Sequence, residues 1–323
     1  VSPANLKGTH GYEISPGARL ALHTFTNRNT PLVSEWIKLP EHRPLQDNQS
    51  IANKIKTVER KNLEFFTITT EDNVTMDGWI ITPENFDSSK KYPVLLYVYG
   101  EPGNTTVEDK FATGGNRLFD GDLSKSGYFY VSFNNRGTPT LKGSAWRKAI
   151  YRDIGGINIR DQAMAMKKLL QQRPYLDTAR VASWGWSGGG SSTLNLLFQY
   201  PDIFKTGIAV AAVANQLTYD NIYQERYMGP PQQTKADYIK GSPVTYAKNL
   251  RGNLLYIHGT GDDNVHYQNA EMLLNELIKY NKQFQFMAYP NRTHGISEGE
   301  GTTKHLRTLY TEYLLKYCPP GGR

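Results

Sequence analysis

The stretch Arg180-Val181-Ala182-Ser183-Trp184-Gly185-Trp186-Ser187-Gly188-Gly189 decides how this chain is read. Residues 180–184 read as a buried strand and residues 192–200 as a helix. Gly185-Trp186-Ser187-Gly188-Gly189 is then a tight strand-to-helix turn of the G-x-S-x-G type. The reason is steric: such a turn forces the serine into a strained backbone conformation, and the residues two away must be nearly free of side chain. The Ser187 hydroxyl then projects above the sheet edge. The amide of Gly188 opens the helix, where the helix dipole favours negative charge. A serine that merely caps the helix would share this turn, so the motif needs partners before it implies chemistry.

On both sides of this turn short apolar runs alternate with helical ones. Residues 63–70 and 74–82 suit a hairpin around Glu71-Asp72-Asn73, and residues 94–99 and 128–133 suit buried strands. Residues 161–172 carry Ala163, Met166, Leu169 and Leu170 at helical spacing. Residues 208–214, 254–258 and 284–289 read as strands. Residues 269–280 read as a helix with Leu273, Leu274, Leu277 and Ile278 inward, and residues 304–317 as a closing helix. This alternation predicts an α/β domain whose mostly parallel, doubly wound sheet is covered on both faces.

Residues 1–60 have another texture, with β-rich runs at 19–26 and 32–39 and no helical period. They read as the end of an all-β domain, with residues 40–50 and the stretch to Lys61 as linker. The expected organisation is therefore residues 1–60, a catalytic domain over 61–318, and a tail over 319–323. The chain reads as the tail of a longer protein, so a targeting signal would lie upstream.

Composition narrows the classes. The 323 residues carry 37 Lys+Arg against 30 Asp+Glu, a net charge of +7, yet no basic run exceeds two residues, which argues against a nucleic-acid partner. Aromatic residues make up 12%, enough to fill a sizeable core and to exclude disorder. The longest uninterrupted apolar run, residues 208–214, falls far short of the ~20 residues of a membrane span. One cysteine, Cys318, excludes an internal disulfide framework.

A nucleophilic serine needs a base, and the base an orienting acid. In α/β-hydrolases these follow in the order Ser, Asp, His, each on a loop after a strand. Asp262 and Asp263 follow the strand at 254–258, and His294 follows the strand at 284–289, beside Gly295. The order fits, and spacing alone leaves the choice between the two aspartates open. His10, His23 and His42 lie in the β-rich part, and His305 on the last helix. The H-x3-D-x3-H spacing of His258, Asp262 and His266 hints at metal. But Gly259 and Gly261 break any helix that would align the ligands, so no metal or cofactor is expected. His258 reads instead as a hydrogen-bonded residue at a strand end.

From about Leu63 to Cys318 the chain resembles the catalytic domain of the prolyl oligopeptidase family of serine peptidases, in its dipeptidyl peptidase IV branch. The matching segments are Val98-Tyr99-Gly100-Glu101-Pro102, Gly185-Trp186-Ser187, Tyr219-Asp220-Asn221-Ile222-Tyr223-Gln224-Glu225-Arg226-Tyr227-Met228-Gly229, His258 to His266, and His294-Gly295. The resemblance implies an α/β-hydrolase fold with Ser187 as nucleophile, His294 as base and Asp262 as orienting acid. It implies Tyr99 and the Gly188 amide as oxyanion donors, and Asn264 as a ligand of the substrate carbonyl. Tyr219, Tyr223, Val213 and Val265 would line a compact pocket for proline or alanine. Residues 1–60 would be the last strands of a β-propeller whose remainder, with the glutamate pair that anchors the substrate amino group, is missing here.

Two positions depart from the branch: Gly188 stands where Tyr is usual, and Gln216 where Trp is usual. A pocket without these rings grips a pyrrolidine less well. The expected activity is cleavage of a peptide substrate after Pro or Ala through an acyl-enzyme. It should fall on the acid side of pH ~6.5–7, because the base works as neutral imidazole. A carboxylesterase on the same triad is the alternative, and a binding module with an idle site a third reading. The resemblance further implies a periplasmic or secreted enzyme, often a homodimer. A glycan at the Asn291 acceptor would crowd His294, which favours a bacterial origin.

Overall fold

The computed structural model describes residues 2–3, 5–38, 41–57 and 62–323. The chain divides into two compact units, residues 1–61 with 107–115, and residues 62–106 with 116–323.

The first unit holds β1 (Thr9–Ile14), β2 (Ala21–Asn27), β3 (Thr30–Lys38) and β4 (Glu41–Gln46), each antiparallel to the next, followed by α1 (Gln49–Ile55). Two of the three histidines of the β-rich part meet one carboxylate and the third meets a histidine ring, a cluster absent from the sequence reading. His23 Nδ1 lies 2.7 Å from Glu35 Oε1, His42 Nδ1 lies 3.1 Å from Glu35 Oε2, and His10 Nδ1 lies 2.9 Å from His23 Nε2. Register explains the first contact, since His23 and Glu35 are cross-strand partners. The linker expected over residues 40–50 is corrected in part, because Glu41–Gln46 is an edge strand and α1 begins at Gln49. Every residue of β4 is exposed, so no apolar alternation marks it and only pairing with β3 reveals it. Pro40 and residues 58–61 of that linker lie outside the described residues.

The second unit is built on an eight-stranded sheet. Its strands are β5 (Leu63–Thr69), β6 (Thr75–Ile81), β7 (Tyr92–Tyr97), β8 (Phe129–Asn134), β9 (Leu176–Trp186), β10 (Thr206–Val210), β11 (Asn253–Gly259) and β12 (Gln285–Tyr289), in the order β12-β11-β10-β9-β7-β8-β6-β5. The six strands from β12 to β8 run parallel, and the β5–β6 hairpin is added antiparallel at one edge. Successive side chains of a strand point to opposite faces. Val94, Leu95 and Leu96 of β7 are all fully buried, so both faces of the sheet are covered. This is the α/β-hydrolase architecture expected from the sequence.

The helices are α2 (Ser144–Lys148), α3 (Ile157–Gln172), α4 (Gly188–Gln199), α5 (Asn221–Met228), α6 (Pro231–Gly241), α7 (Gln268–Lys279) and α8 (Thr302–Tyr317). The strand expected over 208–214 ends at Val210. Ala211 takes a φ of 47° and turns the still-buried apolar run out of the sheet, its N–H held by the Ile257 carbonyl at 2.8 Å. Ile278, expected inward, is 66% exposed, because α7 rests on Ala270, Leu273 and Leu277.

Chain order runs β7, β8 and then across to β9 on the other side of β7. Loops leaving β7 and β9 therefore part at the carboxyl ends of the strands, the usual place for a site in an open α/β sheet. Arg180 fixes the chain at the opposite end of β9. Its buried guanidinium donates to Asp177 Oδ2 at 2.6 Å, to the carbonyls of Pro319 and Gly321 at 2.8 and 3.0 Å, and to the Lys91 carbonyl at 2.6 Å. The residues read as a tail, 319–323, are held to the body of this unit through these carbonyls. Arg180→Met should cost about 3 kcal/mol in urea unfolding, since it strands a carboxylate and three carbonyls; a change below about 0.5 kcal/mol would contradict this role.

Candidate active site

Three chain segments meet at the turn after β9. Val98, just past β7, points its carbonyl at that turn, and a β-carbon built on Gly185 or Gly189 would lie 2.5 or 2.3 Å from this oxygen. Only glycine fits at either place. Ser187 between them sits at φ 59°, ψ −123°, a conformation that costs a non-glycine residue about 1–3 kcal/mol. It is held there by its neighbours. Its N–H donates to the Val210 carbonyl at 2.8 Å, and its own carbonyl accepts from the Ser191 amide at 3.0 Å and hydroxyl at 3.2 Å. The helix starts at Gly188 rather than Ser192, so the Gly188 amide lies in the first turn, where no intrahelical acceptor exists.

The loops after β11 and β12 bring an imidazole onto a carboxylate. His294 Nδ1 lies 2.9 Å from Asp262 Oδ2 and 3.1 Å from Oδ1. The choice between the two aspartates, open from spacing, has a geometric answer: Asp263 Oδ1 accepts the His294 backbone N–H at 3.2 Å, and among the described residues no hydrogen bond joins it to the ring. The Asp262 side chain is fully buried, and its Oδ1 also accepts the Asn264 and Val265 amides at 2.9 and 2.8 Å. Buried His258 flanks it from the strand side, with Nε2 2.8 Å from the Val265 carbonyl and 3.2 Å from Asp262 Oδ2. Burial alone would raise the Asp262 carboxyl, but the hydrogen bonds from His258, His294 and the Asn264 amide hold it well below the usual carboxylate range. Trp186, next to Ser187, donates its indole N–H to the His294 carbonyl at 2.9 Å and so ties the two loops together. Among the described residues no hydrogen bond joins the Ser187 hydroxyl to the His294 ring.

Tyr99 follows Val98, and its carbonyl accepts the Ser192 hydroxyl at 2.8 Å, which fixes it to the start of α4. Tyr219, Tyr223 and Tyr227 form edge-to-face contacts in series, with centroids 5.6 and 4.9 Å apart. Tyr219 donates to Asn264 Oδ1 at 2.7 Å, which leaves the Asn264 amide protons for another acceptor. Val213 and Val265 are buried. Burial, with the Glu101 charge next in weight, raises Tyr99; burial, with Asp220 and Glu101, pushes Tyr219 up to about 12. Both phenols are therefore O–H donors at neutral pH. A cavity of about 590 Å³ lies beyond Tyr227, lined by Pro102, Arg147, Lys148, Tyr151 and Arg226 among others, and neither Ser187 nor His294 reaches it.

Residues 122–318 match the sequence pattern of the prolyl oligopeptidase family, which is more than half of the chain. The chain belongs to that family. It is 35% identical over 283 residues to prolyl endopeptidase FAP of Mus musculus, covering 86% of this chain and 36% of that protein. It is 37% identical over 261 residues to the probable dipeptidyl-aminopeptidase B of Trichophyton verrucosum, covering 78% of this chain and 28% of that protein. The solved dipeptidyl peptidase 4 of Porphyromonas gingivalis superposes with a TM-score of 0.87 at 33% identity, covering 96% of this chain and 44% of that one. The chain thus spans about a third of the length of these curated relatives. Among its described residues no helix is long and apolar enough to cross a membrane.

One residue of this family member went unassigned in the sequence, although it stands in a quoted motif. Glu101 is buried, and its Oε2 accepts the Tyr223 hydroxyl at 3.0 Å. A β-carbon on Gly188 would lie 2.8 Å from both the carboxyl carbon and Oε2 of Glu101, so the space a side chain at 188 would take is filled by this carboxyl. Gln216 receives the Gln224 amide on its Oε1. Its own Nε2 leans toward Glu101 without a hydrogen bond of good geometry. The signal in the sequence was the coincidence of an acid at 101 with the loss of rings at 188 and 216.

Burial pushes the Glu101 carboxyl up from 4.5 to about 7, against the pull of Tyr223 and Gln216. The folded chain therefore holds more protons than the unfolded chain between these pH values, and stability falls as pH rises through that window. A shift of this size is worth on the order of 3 kcal/mol. Glu101→Gln should gain thermal stability over the parent as pH is raised from 4.5 to 8, measured by calorimetry. A gap between the two proteins that stays constant with pH would contradict the burial assigned to this carboxyl.

Proposed function

We propose that the chain is the catalytic part of a serine dipeptidyl peptidase that cleaves after a small P1 residue. The observation that carries the reading is the Asp262–His294 pair, whose loop is tied by the Trp186 indole to the turn that holds the strained Ser187. With Nδ1–H given to Asp262, the His294 ring keeps its lone pair on Nε2. There it takes the Ser187 proton as Oγ attacks the substrate carbonyl. The oxyanion that forms is held by the Gly188 amide and the Tyr99 hydroxyl. His294 returns the proton to the leaving amine, and water, deprotonated by the same ring, releases the acyl group from Ser187. Asn264 offers its amide protons to a substrate carbonyl, and Tyr219, Tyr223, Val213 and Val265 line the P1 pocket.

The first unit fits the last part of a β-propeller, since four antiparallel strands in sequential order make a blade. The share of the relatives that this chain covers supports the same reading. In the full-length protein the propeller would hold the substrate amino group and so limit the product to dipeptides. The family resemblance adds the proposal of a bacterial enzyme, periplasmic or secreted and dimeric, which cell fractionation and sedimentation would test.

A fluorophosphonate should label Ser187, and Ser187→Ala should abolish the label; labelling that persists in that variant would overturn the assignment. On Gly-Pro and Ala-Pro anilides with the full-length protein, Tyr99→Phe should lower kcat by ~10²–10³ with little change in KM. Ester turnover with no anilide cleavage would overturn the peptidase reading.

A further inference from the structure

Residue 188 directly follows Ser187, so whatever occupies the space beside its α-carbon borders the acyl group bound to that serine. In this chain the occupant is a carboxyl. Glu101 retains little exposure, and its Oε2 is taken by Tyr223. Its Oε1 accepts no well-formed hydrogen bond among the described residues, yet it is not one of the fully buried polar atoms lacking a partner, so it keeps access to solvent. A carboxylate has about four acceptor positions, and leaving them empty in a dry site is costly. Gln216 and Gln224 add polar groups where an apolar wall would suit proline; Gln216 Nε2 and Gln224 Oε1 are both buried without partners. An all-apolar P1 side chain would seal Glu101 Oε1 away from water with nothing to bond, beside two amide groups that are already unpaired.

We propose that Glu101 determines specificity, selecting substrates whose P1 side chain carries a hydrogen-bond donor, a hydroxyl or an ammonium, over donor-free side chains of the same shape. The inference rests on the peptidase reading above and deepens it. The P1 donor takes a position on the Glu101 carboxyl that Tyr223 leaves free, and Tyr223 holds that carboxyl in orientation. Hydrogen bonds to charged groups carry enough free energy for a preference of about 10-fold or more.

The test compares kcat/KM of the full-length protein on Gly-Xaa anilides in matched sets: alanine against serine and 2,3-diaminopropionate, and proline against 4-hydroxyproline. The hydroxyl and ammonium arms tell the two donor sources apart. The donor-bearing member should be preferred by about 10-fold or more in at least one set, and Glu101→Met should bring that ratio to near one. Equal or inverted ratios in the parent protein would overturn the proposal, whether or not the variant folds. So would a ratio that survives Glu101→Met, or a Glu101→Met protein that loses only its discrimination between free and N-acetylated substrates. Fluorophosphonate labelling of Ser187 in the parent separates the two levels: a labelled enzyme that cleaves anilides without donor preference defeats this inference alone. A protein that neither labels nor cleaves defeats the peptidase reading beneath it.

Discussion

The Val98 carbonyl oxygen is the contact on which the site depends. It lies so near the α-carbons of Gly185 and Gly189 that no side chain fits between them. The end of β7 is thereby pressed against the turn from β9 into α4. That closeness accompanies the strained conformation of Ser187, and the Tyr99 carbonyl is held to α4 by the Ser192 hydroxyl. The strain is sustained by a large, well-packed sheet, whose central strands are buried on both faces. A local cost of about 1–3 kcal/mol is small against such a core.

A second layer of constraint is electrostatic. Asp262 keeps its charge in a fully buried position because two imidazoles and two amides converge on it. Glu101, a few ångströms of chain beyond Tyr99, has the opposite balance, with one well-formed donor and a deep burial that favours its protonated form. Two carboxyls in one site are thus pushed in opposite directions by their surroundings, Asp262 downward against His294 and Glu101 upward against the tyrosines. Such a division suits two different tasks, orientation of a base and recognition of a side chain.

The legible parts of the sequence were those in which burial writes a pattern. β7, β8, β9 and β11 were readable because strands covered on both faces become continuous apolar runs, and α8 because its apolar residues recur every three or four positions. β4 was hidden because none of its residues is buried. α5 and α6 were hidden because they are short and mostly polar, and are ordered by what they pack against rather than by amphipathic spacing. The apolar pattern of α4 begins only at residue 192, because the three glycines that open the helix carry no side chain to mark it; the turn motif alone placed Gly188 at its start. Ser187 and His294 could be named from order and motif, and the acid only as Asp262 or Asp263 until the family resemblance pointed to Asp262. The pairing of His294 with Asp262 and not Asp263, and the carboxyl standing over Gly188, needed three-dimensional placement.

In the proposed reaction Ser187, Gly188 and Tyr99 converge on a single reacting oxygen. A crystal structure of the protein after reaction with a fluorophosphonate tests it most directly. The expected adduct has phosphorus bonded to Ser187 Oγ, with its free oxygen about 2.7–3.1 Å from both the Gly188 nitrogen and the Tyr99 hydroxyl. An adduct on another residue, or a phosphonyl oxygen turned to solvent with both donors out of hydrogen-bond reach, would contradict it.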